Sequence, residues 1–142
     1  MKIKIMFFAF LLSLALCLPA MAEVKDFGVF TVDVPAGWNA TQDKESGVVI
    51  IAAADKSAVL TIFVSPTEGV SVADIAQMFA TELKGSTPQR QAGADEVYVF
   101  TYKSGEVEST AVISAADKDY LLLTMTGSNP EMGKILASIQ EK

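Results

Sequence analysis

The chain has 142 residues, with 17 acidic and 11 basic side chains and a formal net charge of −6 at pH 7. It contains no histidine and a single cysteine, Cys17, so the usual zinc and copper ligand sets and the Ser-His-Asp and Cys-His nucleophile systems cannot be assembled. The acidic balance argues against nucleic-acid binding, which depends on clustered Lys and Arg. We expect a protein without cofactor that is not an enzyme, since catalysis would have to run on carboxylates, Lys or Tyr.

The first 22 residues have the order of a secretory signal peptide. Lys2 and Lys4 precede an apolar run over residues 5–18, and a small-x-small sequence ends at Ala22. The run is too short, and too soon followed by the cleavage sequence, to span a membrane. Cys17 has leucine on both sides, which favours an apolar signal residue over an acylated one. We predict cleavage near Ala22 and a mature chain, residues 23–142, that is periplasmic or secreted and has no stable membrane span.

Residues 23–142 have the length of one domain, and no linker or low-complexity segment divides them. Phe30, Val32 and Val34 alternate with polar residues, which predicts a half-buried strand that ends at the turn of residues 35–38. The continuous run of mainly β-branched residues over 48–53 predicts a strand covered on both faces, with residues 58–64 as its hairpin partner.

A helix is predicted after Ser71. Ser71 is a good N-cap with Asp74 three residues later, Lys84 suits the last turn and Gly85 suits the C′ position. One apolar stripe is formed by Val72, Ile75, Ala76, Phe79 and Leu83. We expect this stripe to pack on the sheet.

Three strands and a second helix complete the chain. Residues 96–103, 107–115 and 120–126 have strand patterns between short turns. Asn129 as N-cap and Pro130 at the first helical position begin a closing helix, whose apolar stripe is Met132, Ile135, Leu136 and Ile139. Because hairpin-length links join antiparallel strands, we predict an α+β fold: a mainly antiparallel sheet of about six to seven strands with helices packed on it, an αβα sandwich.

The motif F-x-V-x-V-P-x-G-W, from Phe30 to Trp38, is followed by hairpins, a mid-chain helix and a C-terminal helix. It resembles the PsbP-like superfamily, which includes extrinsic photosystem proteins of the thylakoid lumen, a Ran-binding nuclear relative and bacterial envelope proteins of the DcrB type. The resemblance spans nearly all of residues 23–142 and implies an antiparallel sheet sandwiched by helices. It also implies a non-catalytic binding or assembly role, and the His positions that bind metal in some plant members have no counterpart here.

Four aromatic residues are the candidate binding residues: Trp38, Tyr98, Phe100 and Tyr102. Trp38 follows a turn, so it forms either a binding platform or a cap at one end of the core. Tyr98, Phe100 and Tyr102 lie on one face of a strand. That row either lines a groove for an apolar or carbohydrate ligand or forms the sheet face beneath a helix.

Carboxylates at turns are the remaining candidate ligands. Asp117 and Asp119, with Asp55 as a third member, offer hard oxygens. Calcium, however, takes six or more ligand oxygens and a denser pattern of Asp, Asn and Gly. We expect no metal site, and a weak calcium site at Asp117 and Asp119 stays an open alternative.

The expected function is that of an exported, non-catalytic binding or assembly protein of the cell envelope with an envelope protein as partner. The alternative is a small-molecule binding domain, whose apolar or lipid-like ligand lies in a pocket between the sheet and the helix of residues 71–84. An enzyme ranks below both.

Overall fold

The computed structural model describes residues 22–93 and 95–142. In this part, the chain forms ten strands and two helices. The strands are β1 (Glu23–Asp26), β2 (Phe30–Val34), β3 (Trp38–Gln42), β4 (Val49–Ala53), β5 (Ala58–Pro66), β6 (Gln89–Arg90), β7 (Val97–Ser104), β8 (Val107–Ala116), β9 (Asp119–Gly127) and β10 (Gln140–Glu141), and the helices are α1 (Val72–Glu82) and α2 (Met132–Ala137). The predicted signal peptide, apart from its last residue, lies outside the described residues.

The strands form two sheets. The main sheet has seven strands in the order β3-β4-β5-β9-β8-β7-β6, and a small sheet has the order β1-β2-β10. The strand pairs are antiparallel. Short links require this for strands that follow each other in the chain, whereas β5 with β9 and β2 with β10 pair across long sequence separations. The predicted α+β class and strand number are confirmed, whereas the separate small sheet around β2 is not predicted by the sequence.

The strand register assigns each side chain to one face of the main sheet. Ile62 lies opposite Leu123, and the next residues along the same strands, Phe63 and Leu122, also lie opposite each other. Because successive side chains of a strand point to opposite faces, these two pairs belong to opposite faces. We call the face of Ile62 face 1 and the face of Phe63 face 2.

Face 1 is covered over β3, β4, β5 and β9 by the small sheet and α2. Phe30, Val32 and Val34 of β2 are buried there, as their spacing predicts, together with Ile135 of α2. The main sheet contributes Trp38, Val49, Ile51, Ala53, Ala58, Leu60, Ile62, Leu121 and Leu123 to this core.

Face 2 is covered by α1, which packs on β7 and β8 and reaches β9 at its margin. Ala76 and Ala80 are fully buried against a core that includes Phe100, because small side chains let the helix backbone approach the sheet closely. Phe79 is only half-buried and packs at the flank of the helix, with its ring centroid 6.1 Å from that of Tyr120. The predicted apolar stripe therefore meets the sheet, but its centre is displaced from Phe79 towards Ala80.

The helix starts agree with the sequence in one case and differ in the other. Ser71 is the N-cap of α1, and its Oγ accepts the N–H of Asp74 at 3.1 Å. Asn129, the predicted N-cap of the closing helix, instead accepts the N–H of Glu131 through Oδ1 at 2.9 Å. The carbonyl of Asn129 also accepts the N–H of Met132 at 3.1 Å, so a turn over residues 129–132 precedes α2, which begins at Met132.

The end of α1 differs from the prediction by one residue. Lys84, with φ 54°, occupies the left-handed C′ position that the sequence assigns to Gly85. The N–H groups of Lys84 and Gly85 donate to the carbonyls of Thr81 and Ala80, at 3.2 and 2.8 Å, which is the Schellman arrangement. Gly85 is required for another reason: a Cβ there would lie 2.7 Å from the carbonyl oxygen of Thr101.

The prediction that β4 is covered on both faces is wrong. Val49 and Ile51 are fully buried on face 1, but Ile50 is 40% exposed on face 2 and Ala52 is half-buried. The cause is the position of α1, which packs on the other half of face 2. β-Branched residues therefore continue along β4 where no second layer covers it.

Candidate functional site

The uncovered half of face 2, over β3, β4 and β5, is the least expected surface of the molecule. The register places Thr41, Ile50, Ala52, Val59 and Thr61 together there, and each is exposed or half-buried. None of the five residues is charged, and Ile50 has the most apolar side chain among them. We call these five residues the open half-face.

Sequence reasoning missed the open half-face because the run over residues 48–53 has the composition of a strand covered on both faces. The one available signal was the threonines at positions 41 and 61, which flank Ile50 across the strands. Hydroxyl groups on the same face as an isoleucine are typical of a half-buried surface rather than a core.

Trp38 lies at the start of the edge strand β3 and is part of the face-1 core, with 8% of its surface exposed. Its backbone N–H donates to the carbonyl of Pro35 at 3.2 Å and closes the preceding turn. It also contributes to the wall of a cleft of ≈ 290 Å³ that includes Glu23, Lys25 and Ala40. Trp38 thus caps the end of the core and borders a shallow cleft.

Tyr98, Phe100 and Tyr102 share face 2 and lie beneath α1. Phe100 is 2% exposed, while the two tyrosines are half-buried beside it. Tyr102 also lines a cleft of ≈ 410 Å³ at the end of α1, together with Leu83, Lys84, Thr101, Lys103 and Glu108. Of the predicted row, Phe100 forms the helix–sheet core, and Tyr102 extends to an open cleft.

The turn carboxylates do not come together. Asp117 and Asp119 lie at the β8–β9 turn, where Asp119 pairs with Pro66. Asp55 lies at the β4–β5 turn next to Ala58, at the other end of β5 and about 27 Å away along the strand. In residues 22–93 and 95–142, no group of three or more Asp, Glu, His or Cys side chains is placed to hold a metal ion.

Three exposed carboxylates, those of Asp26, Asp43 and Asp55, have pKa values below the ordinary value for aspartate. In each case the main cause is a hydrogen bond that the carboxylate accepts. Asp26 accepts from the ammonium of Lys142. Asp43 accepts from the backbone N–H of Glu45, and Asp55 from the Ser57 hydroxyl. A lowered pKa keeps a carboxylate ionised, whereas a carboxylic acid that donates a proton at neutral pH needs a raised pKa. At Asp43 and Asp55 the bonds lie within turns, and at Asp26 the main bond joins the end of β1 to Lys142.

No helix in the described part of the chain has both the length and the apolar character that a bilayer crossing requires.

Comparison with solved structures finds a similar fold in a PsbP protein. The chain matches the solution structure of cyanobacterial PsbP (CyanoP) from Synechocystis sp. PCC 6803 with a TM-score of 0.61 at 13% sequence identity, covering 89% of this chain and 95% of that chain. It also matches a crystal structure from Bacteroides thetaiotaomicron VPI-5482 with a TM-score of 0.54 at 14% sequence identity. This match covers 88% of the present chain and 49% of the Bacteroides chain.

No protein-family model matches the sequence, and no curated protein matches it. The chain has the PsbP-like fold, as the resemblance of its Phe30–Trp38 motif predicts. At 13% identity the likeness carries the fold alone, and the nearer resemblance to DcrB-type proteins stays a prediction.

Proposed function

We propose that this chain is an exported, non-catalytic binding or assembly protein of the cell envelope that acts through a protein partner. The observation that carries the proposal is the open half-face: a row of uncharged side chains on three neighbouring strands, with Ile50 40% exposed at its centre. Charged residues are depleted at the cores of protein interfaces and common on the rest of a protein surface. A surface without charge is therefore notable in a chain with 17 acidic side chains.

The shape of this surface favours a protein over a small ligand. Small-molecule sites are concave and enclose most of the ligand, whereas the open half-face lies on the pleated surface of β3, β4 and β5. A partner that lays a sheet or an extended segment on this face buries Ile50 and Val59 and meets the hydroxyl groups of Thr41 and Thr61.

Export is supported by the order of the first 22 residues, in which basic residues come first, an apolar run follows and small residues end the segment.

A non-catalytic role is supported by the chemistry of the described residues. The resolved pKa shifts are all downward, and they belong to the exposed carboxylates of Asp26, Asp43 and Asp55. Catalytic acids and bases, by contrast, typically have perturbed pKa values and lie in a cleft.

The alternative is a small-molecule site at the cleft of ≈ 410 Å³ beside the end of α1. The observation that favours it is that Tyr102 and Leu83 line this cleft together with the charged residues Lys84, Lys103 and Glu108. Such a cleft suits a ligand with an apolar body and a polar head. Native mass spectrometry of protein purified from its own envelope tests this: a bound mass that Tyr102→Ala removes supports the alternative, and a bare protein mass contradicts it.

The experiment for the leading proposal is in-cell crosslinking with two lysine variants. Ile50→Lys places a charge in the open half-face, where Ile50 is 40% exposed. Val107→Lys places the same charge at a similarly exposed apolar position of β8, where Val107 is 50% exposed. We expect one envelope protein to be captured by the wild type and by Val107→Lys but lost with Ile50→Lys. Thermal melting of both variants checks that each is folded.

Equal capture by both variants, or no specific capture by the wild type, overturns the proposal. Fractionation of the same cells tests export, since the mature protein should be found outside the cytoplasm with an N-terminus near residue 23.

A further inference from the structure

The edge strand β3 is the least protected edge of the two sheets. At the opposite edge of the main sheet, β7 is shielded by β6 and by Ser86, whose N–H donates to the carbonyl of Thr101 at 2.8 Å and whose Oγ accepts the N–H of Thr101 at 3.0 Å. β3 pairs with β4 on one side only. Its other side faces outward.

The alternation of hydrogen-bonded and non-hydrogen-bonded pairs between β3 and β4 determines which backbone groups of β3 face outward. Ala54 N–H donates to Gly37 at 2.8 Å, and Asp43 N–H donates to Val48 at 2.9 Å. Because hydrogen-bonded residues alternate along an antiparallel pair, residues 37, 39, 41 and 43 face β4. The backbone groups of residues 38, 40 and 42 therefore point to the open edge.

Two features of these outward groups matter for pairing. The N–H of Trp38 already donates to Pro35, so the groups that remain are the carbonyls of Trp38, Ala40 and Gln42 and the N–H groups of Ala40 and Gln42. Ala40 offers a donor and an acceptor at the centre, with the Trp38 carbonyl on one side and the Gln42 N–H on the other. The Gln42 carbonyl has no donor in this arrangement, because the Trp38 N–H is already used.

β3 also lacks the usual protection of an edge strand. Natural edges carry charged side chains or proline, are very short, or bend at a bulge. The sequence of β3, Trp-Asn-Ala-Thr-Gln, has no charge and no proline over five residues. Among the described edges, by contrast, β1 carries Glu23, Lys25 and Asp26, while β6 and β10 are two residues long.

We propose that β3 pairs antiparallel with β3 of a second copy of this chain, about a two-fold axis at Ala40, and joins the two main sheets into one. The two Ala40 residues exchange both backbone hydrogen bonds. The N–H of each Gln42 donates to the carbonyl of the second copy's Trp38. One strand thus supplies both sides of the contact, as a two-fold interface requires.

The side chains in this register are complementary. Asn39 lies opposite the second copy's Thr41 on face 2, so an amide meets a hydroxyl twice across the axis. On face 1, Ala40 meets its own copy, and its small side chain lets the strands approach. Gln42 lies beside the second copy's Trp38, at the cleft of ≈ 290 Å³ that Trp38 borders.

The paired segment ends at Trp38 and Gln42, because the chain turns on both sides of β3. Trp38 N–H donates to Pro35 before the strand, and Gly47 N–H donates to Asp43 after it. Within β3, the register about Ala40 pairs four of the five outward backbone groups and places Asn39 opposite Thr41 twice. This self-complementarity favours a second copy over an unrelated strand.

The contact is small, with four backbone hydrogen bonds, and lies at the weak end of protein interfaces. We expect a monomer at about 10 µM and a growing share of dimer towards about 1 mM. The inference is separate from the proposed partner binding, because Ile50→Lys leaves the backbone of β3 unchanged and should not alter self-association.

Disulfide crosslinking tests the register. With Cys17 replaced by serine, Ala40→Cys introduces one thiol at the two-fold axis, where Cα atoms of the two copies lie about 5.5 Å apart, within disulfide range. Gln42→Cys is the matched control on the same strand and the same face, and its two copies lie about 14 Å apart. Under mild oxidation we expect a covalent dimer from Ala40→Cys at least tenfold faster than from Gln42→Cys.

A charge exchange tests the pairing without a thiol. Asn39→Glu with Thr41→Glu places like charges opposite each other twice, whereas Asn39→Lys with Thr41→Glu places opposite charges there. Both side chains are exposed, so both double variants should melt near the wild type. We expect the first to weaken association at least tenfold and the second to retain it, measured by light scattering over the concentration range above.

Equal crosslinking of the two cysteine variants, equal association of the two charge variants, or a monomer mass up to about 1 mM each overturns the proposal. Faster crosslinking at Gln42→Cys also overturns it, since that result indicates another register or another face.

Discussion

Gly85→Ala and Gly133→Ala should change stability in opposite directions. Gly85 follows α1 without a positive φ, so alanine meets no dihedral penalty there. The obstacle is contact, since the new Cβ would lie 2.7 Å from the carbonyl oxygen of Thr101 and 2.8 Å from Cδ2 of the buried Phe100. Gly133 lies in α2, and a Cβ there meets no atom within 4 Å.

The magnitudes follow from these contacts. Neither the β7 backbone at Thr101 nor the ring of Phe100 can move freely, and overpacking of this kind costs about 1–3 kcal/mol. At Gly133 the only effects are a reduced entropy of the unfolded chain and a better helix propensity, which stabilise by about 0.4–1 kcal/mol. The two variants should therefore differ by roughly 2–3 kcal/mol in the free energy of unfolding.

Thermal and urea denaturation of the two single variants measures the difference. At roughly 4 °C per kcal/mol for a domain of this size, the melting temperature of Gly85→Ala should lie about 8–12 °C below that of Gly133→Ala. Because both changes add the same methyl group, general effects of the substitution cancel. A Gly85→Ala variant as stable as the wild type would refute the close approach of α1 and β7.

Three further predictions concern the core, a helix cap and pH. Phe100→Ala should lower the free energy of unfolding by about 3–5 kcal/mol and Phe79→Ala by roughly half of that, because Phe79 is half-buried; equal losses in urea denaturation would contradict the burial of Phe100. Ser71→Ala should cost about 1 kcal/mol in the same assay, and Ser71→Asp, which keeps an acceptor for the capped N–H, should cost less. The lowered pKa values of Asp43 and Asp55 stabilise the folded state above about pH 4, and this contribution is lost as pH falls through the folded pKa values. With no histidine, urea midpoints should be nearly constant from about pH 5 to 8, and a steep change in that range would be inconsistent with this account.

The sequence predicts the features that depend on local chemistry. Phe30, Val32 and Val34 alternate and are buried, and Ser71 caps α1 through its hydroxyl. Alternation and capping act over two to four residues, so a single segment contains the information. The hairpin links likewise predict the antiparallel order of the later strands.

Features that depend on a distant neighbour are predicted poorly. Phe79 and Ala80 are adjacent in one helix, and their relative burial is decided by Phe100 on a strand twenty residues later. Lys84 takes the left-handed position because Gly85 is needed against Thr101. In both cases the local pattern allows two arrangements, and a packing contact that local pattern does not encode selects one.

The open half-face also depends on long-range packing, but its existence follows from simple dimensions. Seven strands at about 4.8 Å spacing give a sheet about 29 Å wide. Helix α1 has 11 residues and is therefore about 16 Å long and about 10 Å wide. In any orientation it covers little more than half the width of one face, and the six-residue α2 with three short strands covers a similar part of the other. Part of each face must stay uncovered, so a count of residues in helices and strands is enough to predict an exposed sheet surface, while its location on β3, β4 and β5 requires the structure.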